Sequence, residues 1–432
     1  MNQKVVKNAS WIVVCRIAQS LLGMLISMLT ARYLGPANFG LISYASSIVT
    51  FAVPLMQLGL NNILVQETIQ YPQEEGAIFG TSIVMSLCSA LACMVGVVSF
   101  AYITNVNQTQ VVVVCALYSI ILLFRAIEML QYWFQAKLLS KYMSIVSLCA
   151  YGVVSAYRVF LLATGKNVYW FAVASALDIM LIACALLWFY RRLGGQRLCF
   201  RTDVARRMFS RSKYYILSGL MVTVFAQTDK IMLTLMINET ATGYYSAAVN
   251  CAGVTAFVVG AIIDSARPAI FESRKKDYAS FEKSMTVLYS IIIYFSLTQS
   301  VAVTLLAKPI VHILYGGDYS LAINILQILV WYTTFSYLGG AKDIWILAEN
   351  KQKYLVILNL SGAVANILLN ALLIPYYGAA GAAFASLVTQ IFTNIIMMVV
   401  IRELRKNVGL FVKACSLGLV LSIVRRLFNK EA

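Results

Sequence analysis

The sequence predicts an all-α polytopic membrane protein with about twelve transmembrane helices. Of its 432 residues, 61% are hydrophobic and only 12% are charged, whereas about a quarter of the residues of a soluble domain are charged. Residues 76–124 and 354–401 each run for about fifty residues without Asp, Glu, Lys, Arg or His, which is enough for two spans and a turn. Composition therefore excludes an ordinary soluble protein.

The apolar segments divide into two groups of six, and each is close to the roughly 20 residues that cross a bilayer. The segments are 11–31, 39–60, 77–103, 111–130, 142–164 and 168–190, then 214–237, 244–266, 284–307, 321–347, 354–374 and 379–401. We expect two six-helix lobes with a basic linker between them and a basic tail: residues 1–195, 196–213, 214–402 and 403–432.

The two lobes are expected to be parallel repeats related by a pseudo-two-fold axis, because an even number of spans brings both in from the same side. Residues 39–45 (FGLISYA), after the first span, parallel residues 242–248 (TGYYSAA), after the seventh. Transporters built from such repeats hold their substrate near the midplane and alternate access by rocking the halves. We expect that mechanism here.

The net charge of +17 is distributed unevenly across the predicted membrane, so we do not expect nucleic acid as a partner. If the N-terminus is cytoplasmic, the cytoplasmic connections carry 22 Lys and Arg residues, and the outer connections carry only Arg32, Lys166 and Lys308. The positive-inside rule therefore predicts a cytoplasmic N-terminus. One cytoplasmic connection, residues 61–76, departs from the pattern with three Glu residues and no cation.

The apolar stretch 408–428 leaves two alternatives open. It is interrupted by Lys413 and ends in Arg425, Arg426 and Lys430. A thirteenth span would place those cations outside, so an interfacial helix is favoured.

The sequence disfavours a metalloprotein, a nucleotide-driven pump and an enzyme. The nine cysteines are scattered through apolar runs and His312 is the single histidine, a pattern that predicts neither a metal site nor a His-based catalytic centre. No phosphate-binding loop of the nucleotide-hydrolase type is present. The predicted outer connections are too short to host an enzyme active site.

Three motifs resemble Wzx-type polysaccharide flippases, the polysaccharide transporter family of the multidrug/oligosaccharidyl-lipid/polysaccharide (MOP) exporter superfamily. Residues 31–40 (ARYLGPANFG) match a signature between the first two spans, and residues 229–233 (DKIML) with 242–248 match one of spans seven and eight. A third pattern, of spans eleven and twelve, comprises Asn366, Asn370, Ile374, Pro375, Gly378 and residues 381–383.

The resemblance implies the MOP transporter fold and a flippase that moves an undecaprenyl-pyrophosphate-linked oligosaccharide, an O-antigen or capsule repeat unit, from the cytoplasmic to the periplasmic leaflet. It implies the bacterial inner membrane as the location, and a polysaccharide polymerase and chain-length machinery as partners. Two alternatives stay open: a cation-coupled multidrug antiporter of the same superfamily, and a membrane polysaccharide polymerase.

Charged residues inside the spans are the candidate site residues, since an ion at the bilayer centre costs roughly 3 kcal/mol without a partner or an aqueous cavity. A guanidinium offers a pyrophosphate a bidentate fork, and Arg16, without a partner in its own helix, is the leading candidate. The predicted substrate-binding cations are Arg16, Arg125, Lys230, Lys342 and, at the outer rim, Arg32.

A second set of charged residues is predicted to form salt bridges or to couple transport to a proton or Na⁺. Arg125 and Glu128 are three residues apart on one helix and can pair, and Asp178 on span six can meet Arg158 on span five. The set is Asp178, Asp229, Asp264, Glu128 and Arg158. No residue pattern separates a coupling site from a salt bridge.

Overall fold

The computed structural model describes residues 3–416, with side chains for Cys15 and for residues 17–416. This part of the chain is helical and contains no strand, which confirms the predicted fold class. Twelve long helices follow the predicted segments: α1 (3–34), α2 (36–56), α3 (Glu75–Thr104), α4 (Thr109–Ala136), α5 (Ser140–Ala163), α6 (Val168–Arg192), α7 (Thr202–Met236), α8 (Glu239–Lys276), α9 (Tyr278–Tyr315), α10 (Ala322–Ala348), α11 (353–377) and α12 (379–400).

Two pairs of helices are joined by a bend instead of a loop. Gly35 (φ 73°) separates α1 from α2, and Gly378 (φ 54°) separates α11 from α12. Both backbone conformations favour glycine because it has no Cβ. By length and composition, nine stretches of the described chain can cross a membrane, and two of them, Ile17–Met56 and Lys353–Val400, each contain two predicted spans. The chain is an integral membrane protein.

The residues group into two compact units, Met1–Gly243 and Tyr244–Ala432. The first unit includes α7, which packs against α1 and α3. In the second unit, α10 packs against α9 and α11 around a buried cluster that includes Trp345 and Tyr289. The predicted lobe boundaries at residues 195 and 214 stay a prediction.

Helix α7 begins twelve residues before its predicted apolar segment, because the basic linker continues the helix as an amphipathic extension. Val204, Met208 and Ser212 recur every fourth residue and are buried, so they lie on one face. A short helix, Arg405–Ala414, follows α12. Residues 417–428, on which the question of a thirteenth span depends, lie outside the described residues.

The acidic connection between α2 and α3 holds the basic start of α7, and we call this set of ion pairs the linker clamp. The buried carboxylate of Glu67 pairs with Arg211 and, at 3.3 Å, with Arg207. Glu74 pairs with Arg207 at 2.7 Å and with Arg201 at 3.3 Å. Glu67 and Glu74, which have no basic neighbour in sequence, therefore pair with arginines more than a hundred residues later in the chain.

Backbone contacts between α3 and the linker reinforce the clamp. The Cys199 N–H donates to the Gly76 carbonyl at 3.2 Å, and the Gly76 N–H donates to Gln196 Oε1 at 3.0 Å. A Cβ on Gly80 would collide with the backbone of Cys199. The linker thus lies directly on the start of α3, and a larger residue at either glycine would push it away.

The two copies of the predicted repeat motif meet at their glycines. Gly40 in α2 and Gly243 in α8 lie where the first turns of these helices cross. A Cβ on Gly243 would fall on the Pro36 carbonyl oxygen, and one on Gly40 would fall on the Glu239 carbonyl oxygen. Only glycine permits this backbone separation.

Candidate functional site

Helix α4 carries two of the predicted site residues in a short segment between two breaks. Its α-helical parts are Thr109–Ser119, Ile121–Glu128 and Gln131–Ala136. Arg125 Nη1 lies 3.4 Å from Glu128 Oε2, and the Arg125 side chain is 36% exposed whereas that of Glu128 is 10% exposed. The predicted pairing along the helix is therefore present, and the carboxylate offsets much of the charge of Arg125.

Arg158 and Asp178 are neighbours on α5 and α6 but do not form the predicted ion pair. Arg158 Nη2 instead donates to Ser175 Oγ at 3.1 Å, and the guanidinium interacts electrostatically with the Tyr151 side chain. Asp178 Oδ1 is buried without a hydrogen-bond partner among the described residues. Asp178 interacts electrostatically with both Arg158 and Arg125.

These four residues form one group on α4, α5 and α6, which we call the charge cluster: Arg125, Glu128, Arg158 and Asp178. Glu128 and Asp178 also interact electrostatically. The Tyr151 hydroxyl bounds the group on the side of α1, where a Cβ on Gly23 would lie 3.1 Å from it. Two cations and two anions are thus gathered inside one unit, with only one direct ion pair among them.

In the second unit, Lys342 of α10 is buried, with only 6% of its side chain exposed. Its ammonium donates to Asn394 Oδ1 at 2.8 Å and lies 3.6 Å from Asp343 Oδ1. Asn394 lies in a π-helical turn, Phe392–Ile396, a rare feature that is frequent at functional sites. In this conformation Lys342 is bonded to protein groups instead of facing a substrate.

The Asn394 amide is oriented by its own partners. Its Nδ2 donates to Gln390 Oε1 at 2.6 Å and to the Phe335 carbonyl at 3.1 Å, which leaves Oδ1 for the lysine. Gly339 makes room, since a Cβ there would lie 2.9 Å from Asn394 Oδ1. Sequence reasoning missed Asn394, Gln390, Tyr151 and Ser175, because an uncharged polar residue in a span carries no signal of its own.

The other predicted site residues are dispersed. Asp229 of α7 is buried, and Lys230 beside it interacts electrostatically with it. Asp264 of α8 pairs with Arg267 at 3.4 Å and is 68% exposed. Arg32 is exposed near the end of α1. The side chain of Arg16, the leading sequence candidate, lies outside the described side chains.

Among the described residues, no three His, Cys, Asp or Glu side chains are arranged to hold a metal ion. Which of the predicted residues bind substrate or couple an ion stays a prediction.

Comparison with known proteins shows the family. The model of the family described as "Polysaccharide biosynthesis protein" matches residues 5–274, more than half of the chain. This protein belongs to that family. Among curated relatives, the "Putative O-antigen transporter" of Shigella flexneri is 21% identical over 403 residues, which cover 88% of this chain and 94% of that protein. An uncharacterized membrane protein of Methanocaldococcus jannaschii is 26% identical over 217 residues, covering 49% of this chain and 41% of that protein.

Solved structures show the fold. The lipid II flippase MurJ in an inward closed conformation superposes with a TM-score of 0.70 at 12% identity, covering 96% of this chain and 92% of that one. An inward-facing multidrug resistance transporter of the MOP superfamily gives 0.67 at 13% identity, covering 92% and 96%. The chain therefore has the fold of these membrane transporters.

Proposed function

We propose that this protein is a flippase that moves a polyprenyl-pyrophosphate-linked oligosaccharide from the cytoplasmic to the outer leaflet of the bacterial inner membrane. Membership of a polysaccharide biosynthesis family carries the proposal. A protein with a transporter fold would contribute to that process by moving an intermediate across the membrane. The Shigella flexneri relative that covers most of the chain has a name that refers to O-antigen transport. The relevant repeat unit is then an O-antigen or capsule unit.

The charge cluster suits such a cargo. A pyrophosphate is multiply charged, and its burial in hydrocarbon is prohibitive unless cations and hydrogen-bond donors replace its water. Arg125 and Arg158 bring two guanidinium groups into membrane-spanning helices of one unit. A carrier of cationic drugs needs carboxylates and no arginines in its site, so the presence of these two arginines favours an anionic substrate.

Alternating access between two lobes is the proposed mechanism, with the N-terminus in the cytoplasm as the charge asymmetry predicts. Coupling to a proton or Na⁺ is part of the proposal, and the intramembrane carboxylates are its candidates. A polysaccharide polymerase and its chain-length machinery would receive the product. The resemblance of the three motifs to Wzx-type flippases supports each of these points.

Deleting the gene is expected to trap lipid-linked single repeat units in the cytoplasmic leaflet. Extracted polyprenyl-linked sugars are to be measured with and without treatment of intact cells by a membrane-impermeant reagent that modifies sugars. Accumulated units that the reagent cannot reach support the flippase. Units that accumulate but are modified from outside contradict it, and so do cells that accumulate none and become sensitive to cationic drugs.

A further inference from the structure

Arg158 is an intramembrane cation whose charge no carboxylate neutralises directly. Among the described residues its guanidinium makes no ion pair within 4 Å, and it donates a hydrogen bond to the Ser175 hydroxyl at 3.1 Å. Arg125 differs, because Glu128 lies 3.4 Å away on the same helix. A guanidinium carries five N–H donors, so the bond to one neutral hydroxyl leaves donors for a further acceptor.

The position of Arg158 places these free donors inside the membrane. Arg158 lies five residues before the end of α5 and Ser175 seven residues after the start of α6, so their contact is about 10 Å below that end of the helices at 1.5 Å per residue. By the same measure Asp178 lies about 15 Å from the start of α6 and Arg125 about 24 Å from the start of α4. An ion at such a depth needs an aqueous cavity or a counter-ion.

The residues around Arg158 orient its guanidinium and limit its affinity for an anion. Ser175, itself bonded to the Phe171 carbonyl at 3.3 Å, fixes one edge of the guanidinium. Asp178, with one carboxylate oxygen unpartnered among the described residues, lies near enough to weaken the attraction for an anion without occupying the donors. Such a site can hold an anion and also release it.

We infer that Arg158 binds the pyrophosphate of the lipid-linked substrate, with Ser175 holding the guanidinium in place. This assignment rests on the proposed function and makes it specific: Arg158 is a binding residue, whereas the sequence alone suggested a salt bridge. Arg125, already paired, is the weaker anion site of the cluster. Asp178 acts as a negative charge that keeps binding reversible.

The test is binding of undecaprenyl pyrophosphate to the purified full-length protein in detergent. Arg158→Ala is expected to raise the Kd at least tenfold, and Arg158→Lys to raise it about threefold, because an ammonium keeps the charge but loses the fork. Asp178→Asn is expected to lower the Kd about fivefold, since a nearby negative charge is removed. Arg192→Ala is the matched control, because Arg192 is exposed and stacks on Trp188; its Kd should equal that of the unmodified protein.

The outcomes separate this inference from the proposed function. If the unmodified protein binds undecaprenyl pyrophosphate and Arg158→Ala binds equally well, the assignment of Arg158 is overturned and the flippase stands. If the unmodified protein binds a lipophilic cation such as tetraphenylphosphonium and not undecaprenyl pyrophosphate, the proposed function fails first. Asp178→Asn keeps the inference testable if Arg158→Ala does not fold, because unchanged or weaker binding by Asp178→Asn contradicts it.

Discussion

Glu67→Ala is expected to lower the free energy of unfolding by about 3 kcal/mol, the lower end of the range for breaking a buried ion pair. The Glu67 side chain is fully buried, and it pairs with Arg207 and Arg211. Its loss leaves Arg211 without a carboxylate partner and Arg207 with only Glu74, at 2.7 Å. The cost stays at the lower end because the arginine side chains are 28% and 39% exposed and can turn toward water.

Asp203→Ala is the matched control for the linker clamp. Asp203 lies at the start of the same helix, is 59% exposed and pairs with Arg201 two residues away, so its removal should change the stability little, because exposed ion pairs are screened by water. Both variants are to be compared with the unmodified protein by denaturant titration in mixed micelles. Equal stability of Glu67→Ala and the unmodified protein would show that the linker does not depend on the clamp.

Gly243→Ala is expected to destabilise the protein by about 3 kcal/mol and to abolish transport, because overpacking here cannot be relieved by a side-chain rotation. The added Cβ would fall on the Pro36 carbonyl oxygen, which belongs to the backbone of α2. The helices must therefore separate to accept one methyl group. Gly40→Ala should behave in the same way, since its Cβ would fall on the Glu239 carbonyl oxygen.

Gly260→Ala provides the control within α8. No atom lies within 4 Å of a Cβ built on Gly260, and alanine is favoured over glycine inside a helix by about 1 kcal/mol. This variant should therefore be at least as stable as the unmodified protein. The thermal stability of both variants is measured as the fraction of protein that stays monodisperse after heating. Equal heat resistance of Gly243→Ala and Gly260→Ala would contradict the predicted collision between the added Cβ of residue 243 and the Pro36 carbonyl oxygen.

The helices could be predicted from the sequence because a membrane requires a certain length and hydropathy of each span. All twelve predicted segments coincide with helices, and two glycines of the sequence motifs, Gly35 and Gly378, lie at the two bends. The start of α7 was missed because a basic amphipathic extension does not look like a span. Hydropathy reports burial in lipid and carries little information on packing against protein.

The site was less accessible to sequence reasoning, because its contacts join distant parts of the chain. Arg125 and Glu128 share a helix, so their spacing predicted the contact. Arg158 turns to Ser175 instead of Asp178, a choice between neighbours on α6 that depends on side-chain direction. Glu67 and Arg211 are 144 residues apart, and only the packing of α7 brings them together.

The most direct test of the central claim is transport of a defined substrate by the purified protein in lipid vesicles. Vesicles are to be loaded with a radiolabelled undecaprenyl-pyrophosphate-linked oligosaccharide, and the fraction that a membrane-impermeant glycosidase can reach is followed over time, with protein-free vesicles as the control. A flippase is expected to raise this fraction from the outer leaflet's share toward completion. An accessible fraction that stays at the protein-free value, under an imposed proton or Na⁺ gradient of either direction, would contradict it.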